Sequence, residues 1–205
     1  KADVSAAQAA LTGVPGQMLY VTGEESLYIN DNADNLLTSL DYKIGINPAA
    51  TATATVANGD FNIKITGAPA AANTLTTTGG DDIVIGGANN DIIIAGAGAN
   101  TIIAGAGTNT IISLGGTDII VTTTGTDIIN AGDGANTVNM GAGANTLTTG
   151  SGIDIIIGGA NADIISAGDG ANVIDAGAGG NKVTTGSAID NITSAGGIDI
   201  IISGG

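Results

Sequence analysis

A frame of nine residues runs without insertion or deletion from Thr77 to Ile202, filling fourteen consecutive nonapeptides. GGANNDIII (Gly86–Ile94), AGAGANTII (Ala95–Ile103), SLGGTDIIV (Ser113–Val121), TGSGIDIII (Thr149–Ile157) and AGDGANVID (Ala167–Asp175) show its form. Position 6 is Asp or Asn in every copy, and position 8 is Ile, Val or Leu in every copy. Position 4 is Gly in eleven, with Asn89, Asn161 and Ala188 as the exceptions. A register kept this long requires a repeat array in which each unit packs on the next.

The period also selects the secondary structure. No helix accommodates glycine recurring at fixed places every nine residues. A triplet such as Asp-Ile-Ile makes a short strand of β-branched residues, and alternation along it sends position 8 one way and positions 7 and 9 the other. The invariably aliphatic position 8 therefore faces inward, where each side chain contributes on the order of 1.5–3 kcal/mol when fully buried. The segments between strands need the positive φ and close backbone approach that glycine allows.

The frame resembles G-G-x-G-x-D-x-U-x, the calcium-binding nonapeptide of the RTX (repeats-in-toxin) β-roll family, and the resemblance covers about two-thirds of the chain. It implies an all-β fold in which two nonapeptides make one 18-residue coil. About seven such coils would stack into two parallel sheets, a right-handed parallel β-roll (β-solenoid) roughly 34 Å long at about 4.8 Å per coil. The array is expected over residues 67–205, with a small β-rich N-terminal cap over residues 1–66.

Within that cap, Ser5 to Leu11 has the pattern of a short helix stopped at Gly13. Met18–Val21 and Ser26–Ile29 read as strands around Gly23-Glu24-Glu25, and Tyr42–Ile46 as a strand ended by Pro48. Thr51–Val56 and Phe61–Ile65 alternate, and the Asn58-Gly59 step between them predicts a hairpin. Ala68–Thr76 keeps Asn73 and Leu75 in the nine-residue register without its glycines, as a degenerate coil would.

Position 6 reads, in order, Asp82, Asp91, Asn100, Asn109, Asp118, Asp127, Asn136, Asn145, Asp154, Asp163, Asn172, Asn181, Asp190 and Asp199. Successive nonapeptides fall on opposite edges of a roll, so each edge carries Asp and Asn in alternation. The resemblance implies that these fourteen residues, with carbonyls of the glycine turns, hold several Ca2+ ions between coils. Calcium takes six to eight oxygens and mixes carboxylates with carbonyls freely. The chain departs from the family pattern in offering one Asp and one Asn per gap, which weakens each site by a negative charge. The alternative is a ladder of Asx side chains bonding turn N–H groups with no metal. Aspartates two coils apart would then lie about 9.6 Å from each other. Asp81, Asp133 and Asp169, elsewhere in the turns, add charge locally or are simply solvated.

Composition narrows the function. Nineteen acidic residues against four lysines give a formal charge of −15, which argues against nucleic acid and anionic membranes and favours cations. No stretch is apolar for long enough to predict insertion into a bilayer as a helix. The absence of Cys excludes disulfides and thiolate metal sites, and without His or Cys the usual nucleophile–base pairs are missing. A carboxylate pair could cleave sugars, but the repeats have no aromatic residue for a sugar to stack on. No enzyme is expected.

Outward positions 7 and 9 carry Ile83, Ile119 and Ile155 on one sheet and Ile92, Ile128 and Ile164 on the other, with Thr in most remaining places. Apolar faces of that extent mark an interface. The final nonapeptide, Ser194–Ile202, is as regular as any within the array and would leave an open strand edge, a template for another chain. The expectation is an extracellular, bacterial structural protein whose partner is itself, polymerising head to tail and bundling sideways. A calcium-folding module of a larger secreted adhesin, toxin or enzyme is the alternative, and an ice-binding solenoid the third reading.

Overall fold

The strands of the nine-residue array are short because a turn closes each of them within every repeat. Short strands must pair with many neighbours to hold their shape, and the pairing here is parallel throughout the array. A computed structural model describes residues 18–21, 26–29, 42–45, 52–56, 62–67 and 69–204. The chain divides into two units, Lys1–Asp41 and Tyr42–Gly205.

In the first unit, β1 (Met18–Val21) and β2 (Ser26–Ile29) form an antiparallel pair in which Met18 faces Ile29 and Val21 faces Ser26. Both strands have the bounds that their apolar runs predict. The expected helix at residues 5–11 lies outside the described residues.

The second unit is a parallel β-solenoid. Consecutive strands alternate between two nine-stranded sheets. One begins with β3 (Tyr42–Gly45) and β5 (Ile63–Thr66), the other with β4 (Ala52–Val56) and β6 (Asn73–Thr77). The last strands, Asn191–Thr193 and Ile200–Ile202, close the two sheets at the opposite end. Among the described residues there is no helix.

Two expectations for residues 42–66 are corrected. The hairpin across Asn58-Gly59 does not form, because β4 pairs in parallel with β6, and β5 pairs in parallel with β3. The solenoid therefore starts at Tyr42 rather than near Ala68. Tyr42 lies opposite Ile63 and Ala52 opposite Asn73, so these coils are 21 residues long. Lys64 lies opposite Ile83, a 19-residue step, before Thr74 against Ile92 settles the register at 18. Parallel pairing tolerates coils of unequal length, so the longer coils escape a search for period nine.

The core is a column of aliphatic side chains between the sheets. Position 8 is buried from Val84 to Val183, with Ile93, Ile102, Ile111 and Ile120 fully enclosed. Alternation puts positions 6 and 1 on the same inward face, and both rows are buried from Asp82 to Asn181 and from Thr77 to Thr185. Positions 7 and 9 face out, leaving Ile119 and Ile155 nearly half exposed on one sheet and Ile128 and Ile164 slightly more so on the other.

Position 4 carries the turn. Its residues sit in the left-handed region, with φ +127° at Gly98 and +128° at Gly125. Two of the three non-glycine residues do so as well, at +77° for Asn161 and +91° for Ala188. Asn tolerates that conformation through its short polar side chain, whereas Ala is strained by roughly 1–2 kcal/mol. Ala188→Gly is thus expected to stabilise the protein by about 1 kcal/mol. Gly125→Ala should destabilise it by about 2 kcal/mol or more, since its Cβ would strike the Gly107 carbonyl one coil below. Thermal melting of both variants checks the pair.

Candidate metal-binding edges

The position 6 side chains enter the solenoid because each stands two residues before an inward aliphatic residue. There the coil turns, and its backbone N–H cannot join a strand. The side chains supply the missing acceptors. On one edge, Oδ1 of Asn100, Asp118, Asn136, Asp154, Asn172 and Asp190 accepts the backbone N–H of the position 6 residue one coil earlier, at 2.8–3.0 Å. On the other edge Asp91, Asn109, Asp127, Asn145, Asp163, Asn181 and Asp199 do the same, at 2.7–2.9 Å. Asp82 begins the first ladder by accepting from Ile63 N at 2.9 Å. All fourteen candidate ligands thus stand in two unbroken columns, one at each edge.

Asp and Asn share Oδ1 and differ in the second atom, which decides the chemistry. The Asn amide closes its own turn. Asn100 Nδ2 donates to Gly96 O and Gly98 O, both at 3.2 Å, and Asn136 Nδ2 to Gly132 O and Gly134 O at 3.3 and 3.0 Å. Asn181 repeats the arrangement with Gly177 O and Gly179 O, Asn145 Nδ2 donates to Met140 O and Gly143 O, Asn172 Nδ2 to Gly168 O, and Asn109 Nδ2 to Gly107 O. Asp has no proton to give these carbonyls. Its Oδ2 is buried with no hydrogen bond at Asp91, Asp127, Asp154, Asp163 and Asp190. Burial pushes the carboxyls of Asp91 and Asp154 above their ordinary value and that of Asp163 up to about 6.

Position 1 follows position 6, a correlation that the repeat consensus alone conceals. Where position 6 is Asn, position 1 is Ala or Met: Ala95, Ala104, Ala131, Met140, Ala167 and Ala176. Where it is Asp, position 1 is Thr, Ser or Gly, from Thr77 and Gly86 to Thr185 and Ser194. The reason is visible at Ser113, whose Oγ donates to Asp118 Oδ2 at 2.6 Å, and at Ser194, which does so to Asp199 at 2.7 Å. At these two turns position 1 serves the carboxylate, whereas the Thr122 hydroxyl donates to Met140 O at 2.6 Å. Reading the strand as positions 7–9 left this inward residue out, although its small size is evident in the sequence.

The further acidic turn residues are not simply solvated. Asp133 Oδ1 accepts from Ser151 N and Oγ at 2.7 and 2.9 Å, and Asp169 from Ser187 N and Oγ at 2.8 Å each. Asp81 accepts from Ala99 N at 2.7 Å. These bonds staple one coil to the next and hold the Asp133 and Asp169 carboxyls below their ordinary value.

A family model of the RTX calcium-binding nonapeptide repeat matches residues 76–111, 112–147 and 148–183, just over half of the chain. The chain belongs to the RTX-repeat family. Each match spans 36 residues, one full Asp-Asp-Asn-Asn cycle. Comparison with curated proteins and with solved structures gives no match.

The RTX repeats imply Ca2+ binding, and the residues fit the ion unevenly. Among the described residues, no three His, Cys, Asp or Glu side chains gather as a metal site. Any ion at these edges takes one carboxylate per turn and completes its shell with carbonyls and water. The turns of Asp91, Asp127, Asp154, Asp163 and Asp190 fit, because they offer a buried, unpaired carboxylate oxygen. Asn turns do not, because the amide nitrogen already occupies their carbonyls.

The raised carboxyls fix the pH response without calcium. Asp163 binds a proton more tightly folded, at about 6, than at its ordinary 3.8, so in that interval the folded state holds more protons than the unfolded one. Stability in chelator should therefore fall as pH rises from about 4 to 7. The lowered groups, Asp133, Asp169 and Asp199, lose their contribution only below the ordinary carboxylate value, outside this window. Melting temperature against pH in chelator measures the slope, which should diminish in Asp163→Asn.

Proposed function

We propose that this RTX-repeat protein is a non-catalytic, calcium-stabilised structural element of the bacterial exterior that associates with copies of itself. The family is typically one of secreted bacterial proteins, which supports the location. The observation that carries the reading is the set of buried, unpaired Asp oxygens, at Asp91, Asp127 and Asp163 on one edge and at Asp154 and Asp190 on the other. Bound calcium would neutralise these carboxylates and join them to turn carbonyls. The ladder itself orients them, since Oδ1 is fixed by the neighbouring coil and leaves Oδ2 free.

Self-association draws on two features. The outer faces carry Ile83, Ile119 and Ile155 on one sheet and Ile92, Ile128 and Ile164 on the other, each between 41% and 55% exposed. Lateral contact would remove this apolar surface from water. Lengthwise contact would reuse the rule that stacks coils within the chain, parallel strand pairing plus an Asx ladder. A head-to-tail contact of this kind repeats indefinitely and gives a filament.

Sedimentation and negative-stain microscopy with calcium, beside the Ile119→Lys/Ile155→Lys variant, test the reading. Filaments or layers are expected from the unmodified chain, and impaired lateral bundling from the variant with its melting temperature unchanged. Calcium should stabilise by about 2.7 kcal/mol per independent site at a hundred times Kd. A monodisperse monomer at high concentration that still melts higher with calcium would instead favour a calcium-folding module of a larger secreted protein. The match to the RTX repeat supports that second reading equally.

A further inference from the structure

One of the two outer faces carries charges that a single chain cannot pair. In the sheet that begins with β3 and β5, position 7 forms one cross-strand column of Ile83, Thr101, Ile119, Thr137, Ile155 and Val173. Lys64 precedes Ile83 in that column. Asp175 stands exposed at position 9 on the strand of Val173, near the other end. Lys64 and Asp175 are six strands apart, about 29 Å at about 4.8 Å per strand. Between them, from Ile83 to Ile157, positions 7 and 9 of this sheet hold no charged side chain.

The same column is corrugated. Ile83, Ile119 and Ile155 are exposed, whereas Thr101 and Thr137 between them are half-buried, because Thr lacks the terminal methyl of Ile. Ridges therefore recur at every second coil, with a groove at each Thr. The opposite sheet does not share the arrangement. Its positions 7 and 9 from Ile92 to Ile202 include Lys182 and no acid. A face with a cation towards one end, an anion towards the other and ridges between is complementary to itself turned end for end.

We infer that the face carrying Ile119 docks on the same face of a second copy, the two solenoids running antiparallel about a two-fold axis along the strands. The axis passes between the strands of Ile119 and Thr137. Ile119 then faces Thr137 of the second copy and Thr101 faces its Ile155, so ridges enter grooves. Lys64 of each copy comes within one coil of Asp175 of the other. Parallel pairing would instead gather both Asp175 carboxylates at one end, on chains of formal charge −15. Eight strands give a strip roughly 38 Å by 10 Å. That is the low end of specific interfaces, so the pair dissociates on dilution. The inference rests on the self-association proposed above and names its geometry: filaments bundle as antiparallel pairs, through one face.

Sedimentation equilibrium of the full chain with calcium, below the concentration at which filaments grow, tests this. A monomer–dimer equilibrium is expected. Lys64→Glu and Asp175→Lys should each weaken the dimer about tenfold, because two surface ion-pair contacts turn repulsive. Asp175→Lys does so although it brings the net charge nearer zero. The double variant Lys64→Glu/Asp175→Lys should recover the wild-type affinity, a rescue that parallel pairing does not allow. Ile128→Lys, on the opposite sheet, should leave the dimer unchanged. Circular dichroism should be the same for all four variants. Single variants without effect, a double variant that fails to recover, or loss of the dimer in Ile128→Lys would overturn the assignment. Filaments without any dimer would overturn it too, and self-association would stand. A chain that stays monomeric at every concentration and forms no filaments would overturn both.

Discussion

One hydrogen bond, repeated up both edges, sets the geometry on which everything else depends. A position 6 Oδ1 accepts the backbone N–H of the position 6 residue in the preceding coil, as Asp118 does from Asn100 at 2.8 Å. The bond fixes the distance between coils at a point where strand pairing cannot reach, because the chain is turning. It also satisfies a buried donor that would cost about 1–3 kcal/mol if left unpaired. With spacing and register fixed at the edges, position 8 side chains of successive coils fall directly above one another and pack.

Asp and Asn are interchangeable for that bond and opposed in what they do next. Asn turns are complete in themselves. Asp turns carry charge and, at Asp91, Asp127, Asp154, Asp163 and Asp190, an oxygen that wants a partner, and they are never adjacent along one edge. Doubling the spacing between carboxylates from about 4.8 to about 9.6 Å halves their repulsion, from about 3.5 to about 1.7 kcal/mol at an effective dielectric of 20. Alternation thus gives an edge that stands without ions while retaining places for them. The two readings of position 6, metal ligand and Asx ladder, describe different atoms of the same side chain.

Much of this was legible in the residues. Period nine gave the strands, the inward position 8 and the two edges, and Asn73 with Leu75 announced the coil before the regular array. Three things were hidden. Coils of 21 residues over β3 to β6 share the parallel pairing but not the period, so residues 42–66 read as a separate hairpin. Position 1 is inward because strands run on past position 9, a matter of strand length that residue identities alone leave open. The bonds from Asp133 and Asp169 to serines a coil away need three-dimensional stacking to be seen.

The alternation along each edge constrains how such a chain can change length. Removing or adding one 18-residue coil leaves every strand paired and every position 8 in place, yet it sets Asp beside Asp or Asn beside Asn on both edges. Removing or adding two coils restores the order completely. Growth and loss by recombination are therefore smooth only in quanta of 36 residues. The sheet counts in single coils, the electrostatics in pairs, and a lineage of such proteins would differ in length by the larger unit.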